Sequence, residues 1–269
     1  MKNELADTVG FLQNKGITNP EVGIILGTGL GKLVDKIEIN QIISYDEIPH
    51  FPVATVEYHH GKLIYGSLQG KQVLAMQGRF HFYEGYSLQQ ITFPVKVMKL
   101  LGIEYLLLSN AAGALNLSFR KGSLMLIEDH INFLPDNPLR GKNDDDLGPR
   151  FPDMSQPYSL VLNNKLLSIA KAENITLHEG VYVAVIGPNL ETRAEYRMFR
   201  QFADAVGMST VPEVIVANHM GLKCAAVSVL TDECDPDNLK PVNIDEIIET
   251  AGRAETGLIT LFSELVKQL

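Results

Sequence analysis

Short apolar runs bounded by glycine alternate with longer stretches of helical period along most of this chain. Residues 4–14 space their apolar positions as an amphipathic helix does, ending near Gly16. Val22 to Gly27 is a continuous apolar run of strand length, and Leu63 to Leu68 and Val73 to Met76 read as strands joined at Gly70. Pro49-His50-Phe51-Pro52 between them reads as a turn. Leu88 to Leu101 predicts a helix that Pro94 bends or delays. Ile103 to Ser109 and Leu124 to Ile127 predict two more strands, the second ending at Asp129-His130. Past residue 160 come a helix over 160–172, a strand from Gly180 to Ile186 and a short strand from Ala205 to Met208. Ser209 or Thr210 then caps a helix entered through Pro212, and Lys223 to Leu230 is a further strand. A closing helix from about 243 to 267 puts Ile244, Ile247, Ile248, Ala251, Leu258, Leu261, Phe262 and Leu265 on one face. Strands interleaved with helices predict an α/β fold, and 269 residues without a convincing linker fit a single domain, 1–269.

Residues 135–158 break that rhythm with five prolines and Asp144-Asp145-Asp146. An irregular segment of this length in a compact domain is functional, interfacial or disordered, and Phe151 and Tyr158 argue against plain disorder. Composition narrows the partners. A net charge of −9 speaks against a nucleic acid held on a broad basic surface, although a pocket's own donors can still bind a small anion. No run approaches a membrane span or a signal-peptide core. Cys224 and Cys234 are the only cysteines, which points to a reducing compartment, and the expected location is the cytoplasm.

The densest chemistry lies in Gln77-Gly-Arg-Phe-His-Phe-Tyr-Glu-Gly85. Arg79 offers a planar fork of donors for phosphate or carboxylate, His81 can exchange a proton near neutral pH, Tyr83 adds a ring and a hydroxyl, and Glu84 can hold a cation. Thr28-Gly-Leu-Gly-Lys32 after the first strand has the frame of a loop whose backbone N–H groups face an anion. It lacks the third glycine of a dinucleotide fingerprint and the Gly-Lys-Ser/Thr of a Walker A loop. His59 and His60 are adjacent, so in a strand they point to opposite faces, and no carboxylate set accompanies them; no metal is expected. Small residues at Asn110-Ala111-Ala112-Gly113 would let a ligand approach backbone at a strand's carboxyl end. Singly, each feature has a plain structural reading. Glu191 can be a helix N-terminal carboxylate, Met208 and Tyr83 core packing, and Ser209 a cap.

Together they resemble the trimeric class of purine nucleoside phosphorylases. The carriers are Gly27 to Gly31, Gly78 to Gly85, Asn110 to Gly113, Gly187 to Thr192 with Ala194-Glu195, and Gly207 to Val214, in the family's order and spacing. The resemblance implies a mixed central β-sheet flanked by helices. It also implies phosphorolysis of purine nucleosides to free base and (deoxy)ribose 1-phosphate, in purine salvage, with inorganic phosphate as co-substrate and no cofactor. Thr28, His59, Arg79, His81, Ala111 and Ser209 would hold phosphate. Tyr83 and Met208 would contact the sugar, and Ala112, Gly113, Leu190 and Ile244 would complete the nucleoside site. Glu191 would grip the purine at N1, with His81, Glu191 and Asp232 carrying the catalysis. Phe151 would reach into a neighbouring subunit's pocket in a homotrimer.

Several positions depart from the pattern the resemblance sets. Thr28 stands for serine, Ala114 for a second glycine and Leu190 for an aromatic residue. Asp232 stands where 6-oxopurine enzymes carry asparagine, and Ile244 falls near their histidine for the 5′-hydroxyl. An amide can donate to O6 or N7, whereas an ionised aspartate only accepts and suits a 6-amino group. A protonated Asp232 could donate to N7, which would need a raised pKa in a dry pocket. Asp232 and Ile244 resemble the sister methylthioadenosine phosphorylases. The rival readings are a nicotinamide-dependent dehydrogenase, a nucleoside hydrolase and a non-catalytic nucleoside-binding protein. The missing third glycine counts against the first, and the lack of an N-terminal aspartate cluster against the second.

Overall fold

The computed structural model describes residues 2–53, 61–241 and 243–269. His59 and His60 lie outside the described residues. The strands are β1 (Val22–Leu26), β2 (Glu38–Ser44), β3 (Lys62–Leu68), β4 (Lys71–Gln77), β5 (Tyr105–Ala114), β6 (Leu124–Asn132), β7 (Leu177–Ala184), β8 (Ala205–Gly207) and β9 (Lys223–Glu233). The helices are α1 (Lys2–Asn14), α2 (Leu88–Ile91), α3 (Phe93–Leu101), α4 (Leu160–Ala172), α5 (Arg193–Phe199), α6 (Val211–His219) and α7 (Ile244–Lys267). These strands make one mixed sheet in the order β2-β3-β4-β1-β5-β8-β7-β6-β9, and β9 returns to pair with β5, so the second half closes on itself. Strands β4, β1, β5 and β9 are neighbours and run parallel.

The continuous apolar run of β1 follows from its place between two parallel strands with both faces covered. Ile25 joins a core with α1, α3 and α6, whereas Val22, Ile24 and Leu26 join another with α4 and α7. Strand β2 escaped the sequence reading because it is an edge strand: Ile39 and Ile42 are exposed, so burial imposes no clean alternation. The helix expected over Leu88 to Leu101 is two helices. Thr92 ends α2, and Pro94 sits in the first turn of α3, where its missing N–H costs nothing.

Two further expectations change at the strand ends. Asn110 to Ala114 is strand rather than loop, paired to β9 with a register shift between Ala112 and Gly113. Thr210 occupies the position preceding α6 but does not cap it; its φ is +71°, and its hydroxyl instead accepts from the Asn110 amide at 2.9 Å. By contrast α5 has the capping box its sequence spells, with Thr192 accepting from the Glu195 N–H and Glu195 accepting from that of Thr192.

Gly27, where β1 gives way to the glycine-rich turn, is glycine for want of space. A Cβ there would lie 2.7 Å from the Asn110 Cα and 2.8 Å from the Ser109 carbonyl. Gly27→Ala should wedge β1 from β5 and destabilise the fold by about 1–3 kcal/mol. A thermal midpoint equal to the parent's would contradict that close approach.

Candidate active site

Parallel sheets present ligand-binding loops at the carboxyl ends of their strands. Here β1 leads into Gly27-Thr28, β4 leads into Gly78-Arg79, β5 carries Asn110 to Gly113, and β9 carries Thr231 and Asp232. The hydroxyl of Tyr45 donates to the Gly78 carbonyl at 2.7 Å, and the Gln77 amide donates to the Gly31 carbonyl at 3.2 Å, tying the motif to the turn beside it. That turn is also held from α7. Glu255 accepts from the Lys32 N–H at 2.6 Å, and Gly29 lies against Ala251 and Ile248.

Arg79 is buried, and its guanidinium is shared among three elements. It donates to the Ser109 carbonyl of β5 at 2.7 Å and to the Ser209 hydroxyl at 3.3 Å. Its Nε and Nη2 both lie 3.2 Å from Oε1 of Glu213 in α6, itself buried. The Gly27 N–H, just before the glycine-rich turn, donates to the Ser109 hydroxyl at 3.2 Å. Next to this group His81 stacks on Tyr83 with ring centroids 4.7 Å apart, and its Nδ1 lies 3.0 Å from Glu84 Oε1. Burial, the largest cause, holds His81 below its ordinary value against the opposing pull of Glu84. The imidazole is therefore neutral near pH 7, with its Nδ1 proton directed at Glu84. Burial, reinforced by Glu84, pushes the Tyr83 hydroxyl up to about 12, so it remains a phenol.

A second group gathers Glu191, Tyr196, Asp232 and Cys234. Thr231 donates to Asp232 Oδ1 at 2.9 Å, and the Cys234 thiol donates to Oδ2 at 3.3 Å. The Tyr196 hydroxyl interacts with both Glu191 and Cys234. Burial raises the Glu191 carboxyl above its ordinary value, and the charge of Asp232 adds to that. A helix-terminal carboxylate held by the macrodipole would shift the other way.

Both groups line one cavity of about 340 Å³, within the usual range for a small-molecule site. Thr28, Arg79, His81, Ala111 and Ser209 line it, and so do Tyr83 and Met208. Ala112, Gly113, Leu190 and Ile244 complete the predicted set on its wall, together with Glu191 and Asp232. Phe151 does not line it; its ring is 85% exposed and borders a separate depression with Arg140 and Arg150. No group of three or more potential metal ligands occurs among the described residues.

Comparison with known proteins settles the ancestry. Residues 21–267 match the family model of the phosphorylase superfamily. The chain is 48% identical over 269 residues to purine nucleoside phosphorylase 1 of Bacillus subtilis, covering 100% of this chain and 99% of that one. It is 47% identical over 257 residues to the purine nucleoside phosphorylase of Mus musculus, covering 93% and 89%. Among solved structures, isoform 2 of the Schistosoma mansoni purine nucleoside phosphorylase, in complex with cytosine and ribose-1-phosphate, superposes with a TM-score of 0.94 at 40% identity, covering 99% of this chain and 96% of that one. The same organism's enzyme in complex with adenosine gives 0.93 at 38% identity, covering 99% and 97%. The chain belongs to the phosphorylase superfamily.

In this phosphorylase-superfamily chain several cavity residues were absent from the predicted set. Tyr196, Thr231 and Cys234 supply the polar backing of the two carboxylates, and Ile247 and Ile248 extend the apolar wall begun by Ile244. The isoleucines were legible as one helix face, but their period does not tell core from cavity. Tyr196 meets Cys234 only through the fold, and nothing local announces it. Glu213 is one residue within the Gly207 to Val214 motif, and it is the carboxylate against which Arg79 is buried. Removing one partner of such a pair costs about 3–5 kcal/mol. Glu213→Ala should lower stability by that order in urea denaturation, and a change below about 1 kcal/mol would mean that the pair does not anchor Arg79.

Proposed function

We propose that this chain is a purine nucleoside phosphorylase, an enzyme that uses inorganic phosphate to cleave the N-glycosidic bond of purine nucleosides. The supporting observation is the single cavity that joins the Arg79–Ser209 group to the Glu191–Asp232 group. Phosphate would be held by Thr28, Arg79, His81, Ala111 and Ser209, and the sugar would lie against Tyr83 and Met208. A neutral His81 can accept the proton of hydrogen phosphate at Nε2 while Nδ1 stays on Glu84. A phosphate oxygen forms the new bond to C1′ as the C1′–N9 bond breaks. The electron pair of the C1′–N9 bond passes to the purine, which takes up the proton that phosphate gave up, returned from His81 through solvent. Phosphate is already a competent nucleophile, so the protein's part is alignment and charge stabilisation. Glu191 and Asp232 grip the base at its N1 and 6-position side.

A second reading within the superfamily is favoured by Ile244, Ile247 and Ile248, which give the cavity wall an apolar stretch. That wall suits a 5′-alkylthio group better than a 5′-hydroxyl. The exposed Phe151 ring, beside the Arg150 guanidinium at 5.7 Å, supports its use by a neighbouring copy in a homotrimer. Buried free Cys224 and Cys234 accord with a reducing cytoplasm.

Release of adenine from adenosine and 5′-methylthioadenosine, and of hypoxanthine from inosine, measured with and without phosphate, tests the proposal. Phosphate-dependent release is expected. Release without phosphate would indicate a hydrolase, and no release at all would leave only binding. Asp232→Asn should shift the adenosine-to-inosine ratio of kcat/KM towards inosine by roughly tenfold or more. An unchanged ratio would remove Asp232 from base recognition. Phe151→Ala should raise the nucleoside KM several-fold in a sedimenting trimer, and a fully active monomer would contradict its role.

A further inference from the structure

The two carboxylates facing one small cavity are not equivalently supported. Asp232 receives a hydrogen bond on each oxygen, from the Thr231 hydroxyl on Oδ1 and from the Cys234 thiol on Oδ2. Cys234 is buried, and burial together with the neighbouring Asp232 holds its proton on sulfur, so the thiol can only be the donor in that contact. The backbone keeps room for the arrangement. A Cβ on Gly113 would lie 2.4 Å from Cys234 Sγ and 3.1 Å from Asp232 Oδ2. With both oxygens taking protein donors, the remaining lone pairs of Asp232 present an acceptor to the cavity. Glu191 is held differently: burial, the largest cause, and the nearby Asp232 charge raise its carboxyl, while hydrogen bonds from its own backbone N–H and from the Tyr196 hydroxyl pull it down.

A carboxylate held as an acceptor at the 6-position side is the complement of one purine edge. A 6-aminopurine offers an acceptor at N1 and a donor at its amino group. A 6-oxopurine offers a donor at N1 and an acceptor at O6, the reverse pattern. We infer that Cys234 is a positioning residue which, with Thr231, holds Asp232 as a hydrogen-bond acceptor, so that the cavity selects 6-aminopurine nucleosides over 6-oxopurine ones. This rests on the phosphorylase reading of the cavity and adds to it a base preference and the residue that sets it. Cys234 touches no substrate in this scheme. It acts through Asp232, and its Sγ also meets the Tyr196 hydroxyl that reaches Glu191, so one chain of polar groups backs both carboxylates.

The test compares Cys234→Ala and Cys234→Ser with the parent, reading calorimetric Kd for free adenine and hypoxanthine in phosphate buffer, and kcat/KM for adenosine and inosine. The parent should prefer the amino base in both measurements. Cys234→Ala should reduce that preference roughly tenfold, through weaker adenine binding and stronger hypoxanthine binding. Cys234→Ser keeps a donor of similar reach and should restore the preference to within about threefold of the parent. An equal loss for both bases, which a cavity left in the core would produce, overturns the inference, as does an unchanged ratio or a serine variant that behaves like alanine. A parent that prefers hypoxanthine overturns it too. If adenine is preferred in binding but no base is released in phosphate, the phosphorylase reading fails while the assignment of Cys234 stands.

Discussion

A guanidinium taken out of water is the constraint around which this molecule is arranged. Arg79 is about as inaccessible as a core leucine, and a charge in that position is tolerated only if the fold delivers partners to it from several directions. The fold does so with β5 through the Ser109 carbonyl, α6 through Glu213, and the turn after β8 through Ser209. Each partner enters from a different part of the chain, so burying Arg79 registers α6 and β8 against the parallel strands. The same low-dielectric surroundings strengthen its attraction for any anion that reaches the cavity. That local strength reconciles an anion site with a chain of net charge −9.

Desolvation acts a second time at Glu191, beside Asp232, with a different outcome. Two carboxylates near one apolar cavity repel, and the repulsion is resolved by unequal hydrogen bonding rather than by separation. Thr231 and Cys234 stand behind Asp232, whereas Tyr196 is divided between Glu191 and Cys234. The asymmetry is built from backbone geometry as much as from side chains. The register shift between Ala112 and Gly113 lets β5 carry Gly113 past Asp232, and the missing Cβ leaves the thiol its place.

What the sequence disclosed divides along the same physical line. Elements whose residues answer to their own neighbours were legible: helix α4 at Leu160–Ala172 and the fully buried β1. The motif around Arg79 and His81 and the other residues that line the one cavity were grouped before any contact was known, since residue types in a fixed order identify a family. Features decided by distant partners were not legible. Edge strand β2 has one face in solvent and so no strong pattern. Thr210 has the residue type of a cap, but its hydroxyl oxygen accepts from the Asn110 amide, a hundred residues away. Tyr196 and Cys234 look like core residues in the chain and become polar backing only when α5 and β9 meet at the cavity.

Helix α7 shows how one periodic face serves both purposes. Leu258, Leu261, Phe262 and Leu265 are buried against the sheet and α4, while Ile244, Ile247 and Ile248, on the same stripe nearer the helix start, line the cavity. The change of role along a single face has a mechanical cause. Glu255, buried at mid-helix, accepts the Lys32 N–H, and Ala251 and Ile248 lie against Gly29, so the middle of α7 is seated on the glycine-rich turn. Beyond that seat the helix no longer covers the sheet and its first turns overhang the site, capped by Asn243, whose side chain accepts from the Asp245 N–H at 2.9 Å. The turn beside Arg79 and the apolar wall of the cavity are thereby parts of one contact.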